Sequence, residues 1–179
     1  MADLTLSSRT MIRPYRSRAG SPLTLTRDAS TCASTATIKV GQVVQFDIVS
    51  ETASHRVVRA STAEGVILTT NVCGIAAATD ASDGSTLAAN GARPVTVWAA
   101  DANTEFLFPT NIAGVASTLV GTGLALHWDS TRTIHFLGAN STAGNLRVWV
   151  TEVPNPGDTN GYVVGRFFST AVSPAVWTR

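Results

Sequence analysis

Lysine is almost missing from this chain: Lys39 stands alone against twelve arginines. Schiff-base and phosphate-loop chemistry is thereby confined to one position, and Lys39 lies in no glycine cradle. Charged residues are 14% of the 179, against roughly 25% in an average soluble domain. The surface must therefore be largely neutral, and 41 Ser and Thr with 25 Ala supply it. There are two cysteines, Cys32 and Cys73, and no C-x-x-C pair. That gives neither a disulfide framework nor a zinc or redox motif. Their redox state stays open, although Cys73 sits in an apolar run where a thiol packs as a small hydrophobe. No apolar stretch nears the roughly 18 residues of a membrane helix. The opening MADLTLSSRTMIRPYR has no apolar core of the kind a secretory signal carries.

Catalytic motifs are equally scarce. Gly121-Thr122-Gly123 supplies two glycines of a dinucleotide fingerprint, but a strand pattern follows where a helix is required. No H-E-x-x-H and no G-x-S-x-G occurs. Residues 80–84, DASDG, open like a calcium loop but lack the glutamate at the twelfth position, so they read as a turn. The expectation is a protein that is not an enzyme and needs no metal or other cofactor.

What the chain has is apolar residues at 44%, enough for one folded domain, and an uneven charge. Residues 1–27 carry Arg9, Arg13, Arg16, Arg18 and Arg27 against Asp3, a balance of +4; the remaining residues carry −3. Residues 1–35 show no sustained hydrophobic period, and Pro14 and Pro22 favour extended geometry before them. They are expected to form an extended Arg-rich N-terminal arm on a body spanning 36–179. Nucleic acid is one partner for such an arm, but a handful of arginines on a neutral body is a weak footprint. The arm is expected instead to lie on an acidic protein partner or a neighbouring subunit, with Arg9, Arg13, Arg16 and Arg18 as its contact residues. Neither direct nucleic-acid binding nor membrane contact is expected.

The body reads as strand after strand. Val44, Phe46 and Ile48 alternate with Gln45 and Asp47; Leu146, Val148 and Val150 alternate with Arg147, Trp149 and Thr151. Both are the period of a half-buried strand, with the second set facing outward. Asn155-Pro156-Gly157-Asp158 and Asn160-Gly161 are turn chemistry. Nine to eleven short strands and no long helix predict an all-β fold, a compact β-sandwich or β-barrel.

Two side-chain groups have more than one reading. Residues 124–129 and 133–137 form a hairpin. A three-residue loop would set His127 opposite His135 and bring Asp129 to the same face, a plausible metal set. A shift of one residue would part the histidines, and the sequence leaves both registers open. Of the tryptophans, Trp98 and Trp149 face away from their strands' aliphatic residues. They are either the core of a second layer, a subunit interface, or an exposed platform for carbohydrate.

Taken together, IKVGQVVQFD (38–47), the Gly74 strand running into DASDG, PVTVWAADANTEFLF (94–108) and GDTNGYVVGRFF (157–168) resemble the small β-rich decoration, or cement, proteins of tailed-bacteriophage capsids. The resemblance covers about residues 38–168 and is carried by strand and turn patterns; the long Arg-rich arm departs from the simplest members. It implies a structural virion protein on the outer surface of the phage head. Such a protein is made in the host cytoplasm, binds the major capsid protein and bridges its subunits. It also implies self-association, as a trimer or alternatively a dimer. A tail-fibre receptor-binding module and a carbohydrate-binding β-sandwich are the alternatives.

Overall fold

The computed structural model describes residues 11–29, 38–46, 56–60, 65–68, 70–77, 94–139, 145–159 and 161–172. These residues hold twelve strands. They are β1 (Arg13–Ser17), β2 (Thr24–Ala29), β3 (Val43–Phe46), β4 (Arg56–Arg59), β5 (Gly65–Val66), β6 (Val72–Ala76), β7 (Pro94–Ala99), β8 (Thr104–Pro109), β9 (Gly123–Asp129), β10 (Ile134–Gly138), β11 (Leu146–Glu152) and β12 (Tyr162–Phe167). Short 3-10 turns occupy Ser117–Leu119 and Ser169–Ala171, and no α-helix occurs among the described residues. The fold is all-β.

Two sheets share one hydrophobic core. The first runs β1-β8-β12-β11-β9-β10, with β5 continuing along β9 where β11 leaves it. A bridge between Thr110 and Leu137, with Asn111 N donating to Leu137 O at 3.1 Å, ties its β8 end to β10, so this sheet curls strongly. The second sheet, β2-β4-β3-β6-β7, closes into a five-stranded barrel whose one parallel pair is β2 with β4. Closure removes the exposed edges that a small open sheet would leave.

Alternation sets what each strand buries. Val95, Val97 and Ala99 of β7 point inward while Thr96 and Trp98 stay half-exposed, as the spacing predicts. In the first sheet Phe106, Phe108 and Phe167 form an edge-to-face triangle, with centroids 5.5–6.2 Å apart. Each contact of this kind contributes roughly 0.5–1.5 kcal/mol beyond its buried area. Gly74 is required by the barrel: a Cβ there would lie 2.0 Å from the Trp98 carbonyl oxygen on β7. Backbone cannot give way as a flexible side chain can. Gly74→Ala should cost about 3 kcal/mol, the upper range for overpacking, and lower the melting temperature by roughly 6–12 °C. A thermal melt unchanged by the substitution would contradict the close approach.

Two expectations need correction. Residues 13–29 are not an extended arm: β1 pairs with β8 from Arg13↔Leu107 to Ser17↔Thr104, and β2 pairs with β7 at five positions from Thr24↔Trp98 to Asp28↔Pro94. Ile12 and Leu25 anchor them in the core. Single anchors on strands held by backbone pairing leave no sustained apolar period, which is why the sequence pattern misses them. Residues 1–10 and 30–37, with Arg9 and Cys32, lie outside the described residues, as do DASDG and Trp177. The second correction concerns Arg147, which is buried although its alternation points it outward. A register shift against β9 between Leu146 and Val148 turns it inward. Its guanidinium donates to Leu146 O and Leu68 O, both at 2.9 Å, which holds the end of β5 against β11.

Candidate interaction surface

Polar and aromatic side chains gather at three places: the β9–β10 hairpin, the β1 edge and the outer face of β11–β12.

In the hairpin, Asp129 pairs with Ile134, Trp128 with His135 and His127 with Phe136. The loop thus has four residues, 130–133, and not three. Thr133 closes it in the left-handed region at φ 57°. Asp129 shapes the turn by accepting from Arg132 N and Arg132 Nη1, both at 2.8 Å. Burial alone would raise the Asp129 carboxyl; these bonds from Arg132 outweigh it and hold the group below its ordinary value. The extra residue places the histidines on opposite faces. His127 is half-buried and stacks on Phe136 at 5.2 Å, and burial lowers its pKa. His135 is 1% exposed and packs on Trp128 at 4.7 Å. The two imidazoles and Asp129 therefore do not converge on one ligand position.

His135 instead joins the two sheets. Its Nδ1 accepts the Val43 N–H of β3 at 3.1 Å, so the proton of the neutral ring resides on Nε2. Burial, with a smaller contribution from the Arg59 charge, pushes its pKa down to about 3. Arg59 of β4 lies 4.2 Å from the centre of the Trp128 ring on the same side of the junction. Beside it, buried Gln42 donates through Nε2 to Thr133 O at 2.8 Å and accepts from Lys39 N at 2.9 Å. Nothing in the pattern G-Q-V-V-Q-F marks Gln42 as a connector, because a polar residue just ahead of a strand reads as surface.

The arginines expected to bind a partner are placed unequally. Arg13 and Arg18 are exposed at either end of β1. Arg16 is occupied within the chain: it pairs with Glu105 on β8 through Nε and with Glu152 on β11 through Nη1 at 2.9 Å. The Glu105 hydrogen bond is the main cause of its raised pKa. Tyr15 donates to Glu152 Oε1 at 3.2 Å, a bond that raises the phenol pKa. Arg16 thus clips β1 to its neighbours and is not available as a tether contact.

On the outer face of the first sheet, Trp149 of β11 is directly opposite Arg166 of β12. Its other neighbour is Gly123 of β9, whose missing side chain leaves room for Leu146 and the tip of Phe168. Phe168 N donates to Arg147 O at 2.9 Å, extending the ladder by one residue, and its ring meets Trp149 edge-to-face at 5.8 Å. Trp149, Arg166, Phe167, Phe168 and Ser169 line a shallow depression of about 200 Å³. The outward direction of Trp149 is legible from its strand's alternation; its partner Arg166 is not, because pairing of β11 with β12 is a tertiary fact.

Comparison with protein-family models, curated proteins and solved structures returns no match. Among the described residues, no group of three or more His, Cys, Asp or Glu side chains is placed to hold a metal ion, and no helix is long and apolar enough to cross a membrane.

Proposed function

We propose that this chain is a capsid decoration protein, attaching to the outer surface of a tailed-phage head and bridging its major capsid subunits. The observation that carries the reading is the position of β1. It lies along the rim of the first sheet with Arg13 and Arg18 exposed, so the Arg9-bearing residues ahead of it start from the edge of the body. From an edge, ten residues can reach roughly 33 Å when extended, far enough to contact a neighbouring subunit. Arginine forks at that edge suit carboxylates on such a subunit. The sequence resemblance across residues 38–168 supports the same reading, as does a neutral surface suited to display in many copies. Repetition on a shell lets weak contacts sum through multivalent attachment.

The attached form is a homotrimer, with a dimer as the alternative, since threefold positions on a shell match a threefold ligand. Partition among filled heads, isolated tails and a glycan resin tests the proposal. The protein should sediment with heads, and sedimentation velocity at micromolar concentration should show a trimer. Exclusive association with tails would replace the proposal with a tail-fibre role. A strict monomer that leaves heads undecorated would end it.

A further inference from the structure

We infer that the Trp149–Arg166 depression is a binding site for an acidic saccharide, a sugar ring bearing a carboxylate. The site stands on its own geometry and is independent of the capsid reading.

Three features point to that ligand class. First, Trp149 is the large ring in the depression and is 37% exposed. Its orientation is fixed by the edge-to-face contact with Phe168, itself held by its backbone bond to β11. A rigid, half-open indole offers a flat apolar shelf at low entropic cost, suited to the C–H face of a pyranose ring. Second, Arg166 is paired across the strands with Trp149, and among the described residues its guanidinium makes no hydrogen bond or ion pair. A guanidinium beside an aromatic shelf provides parallel N–H donors for one carboxylate. Third, the depression is about 200 Å³, below the roughly 300 Å³ at which drug-sized pockets begin. It is open on its outer side, so one ring can occupy it while the rest of a glycan chain runs out over the sheet. The Ser169 hydroxyl at its margin can serve a ring hydroxyl.

Nucleic acid fits the site less well. Strand binding needs several cations tracking successive phosphates, and Arg166 is the single cation lining this depression. A single carboxylate needs one guanidinium fork, which Arg166 supplies.

The test uses the full chain with two probes that differ only at C6, methyl glucuronide with a carboxylate there and methyl glucoside with a neutral hydroxymethyl group. A short single-stranded oligonucleotide is the third probe. Saturation-transfer NMR at millimolar ligand should detect the glucuronide, held about tenfold more tightly than the glucoside, a difference of roughly 1.4 kcal/mol. Arg166→Gln should abolish that preference while leaving the weak glucoside signal in place. Trp149→Ala should remove both signals, with the circular dichroism spectrum unchanged because the ring is on the outside. Absence of saturation transfer from either sugar would overturn the inference. So would a glucuronide preference that survives Arg166→Gln, or oligonucleotide binding that displaces the sugar.

Discussion

Deletion of residues 1–27 should leave no cooperatively folded body. The cut removes β1, which pairs with β8, and all of β2 except Asp28 and Ala29. Loss of Ile12 and Leu25 alone forfeits about 1.5–3 kcal/mol each. Opening the five-stranded barrel then strips β7 of its β2 partners from Val95 to Trp98 and leaves β4 paired on that side only with the Asp28–Ala29 remnant. Together these losses rival the roughly 5–15 kcal/mol that holds an ordinary domain folded. Near-ultraviolet circular dichroism should lose its tertiary signal, and an apolar dye should bind. Deleting residues 1–10 instead spares Ile12 and both strands, and the melt should stay close to that of the full chain. A 28–179 chain that melted cooperatively within a few degrees of the full chain would show that β1 and β2 are accessories.

Acid should destabilise the protein steeply between about pH 6.5 and pH 3, through His135. The imidazole is buried and neutral, and its folded pKa of about 3 lies below the ordinary 6.5. A group depressed in this way contributes fully above its unfolded pKa. Its contribution falls as pH drops, because the unfolded chain takes up a proton that the folded chain refuses. The slope approaches 1.36 kcal/mol per pH unit, so on the order of 4–5 kcal/mol is lost by pH 3. His127, also lowered by burial, acts in the same direction. Protonation at His135 additionally costs the Val43 acceptor and sets a charge near Arg59. His135→Asn supplies an oxygen acceptor for Val43 N–H and cannot titrate. It should be weaker at pH 7 by about 2–3 kcal/mol, since the smaller side chain leaves space beside Trp128, yet much flatter across the acid range. Urea midpoints at half-unit pH steps read both effects. Equal slopes in the parent and the variant would remove His135 from the account.

Much of the fold is legible where one strand face is wet and the other dry. The alternation in β7 is of that kind, and so is the outward direction of Trp149; in β3 a bulge between Val44 and Gln45 breaks the pattern, and Val43 and Val44 are both buried. Three features escape for distinct physical reasons. β1 and β2 are held by backbone pairing with one apolar anchor apiece, and a hydrophobic period cannot reveal a hydrogen-bond ladder. The β9–β10 register turns on Thr133 adopting φ 57°, a conformation with no strong residue signature when glycine and asparagine are absent. That single residue decides whether His127 and His135 meet. Arg147 is buried because a bulge reverses its direction, and bulges are set by the neighbouring strand. Of the arginines read as partner contacts, Arg13 and Arg18 keep that role in the proposal. Arg16 does not, since its two carboxylates come from β8 and β11, which only folding brings to β1.

The attachment proposal is tested most directly by a binding isotherm on heads. Filled tailed-phage heads free of decoration protein are titrated with the full chain and with the 11–179 chain at physiological salt. The proposal predicts saturable binding of the full chain, with bound copies in fixed ratio to major capsid subunits. The 11–179 chain should bind markedly more weakly, and the gap should narrow as added salt screens the arginine contacts. Equal isotherms for the two chains would contradict the role given to the residues ahead of β1, and failure of the full chain to bind heads at all would contradict the proposed function.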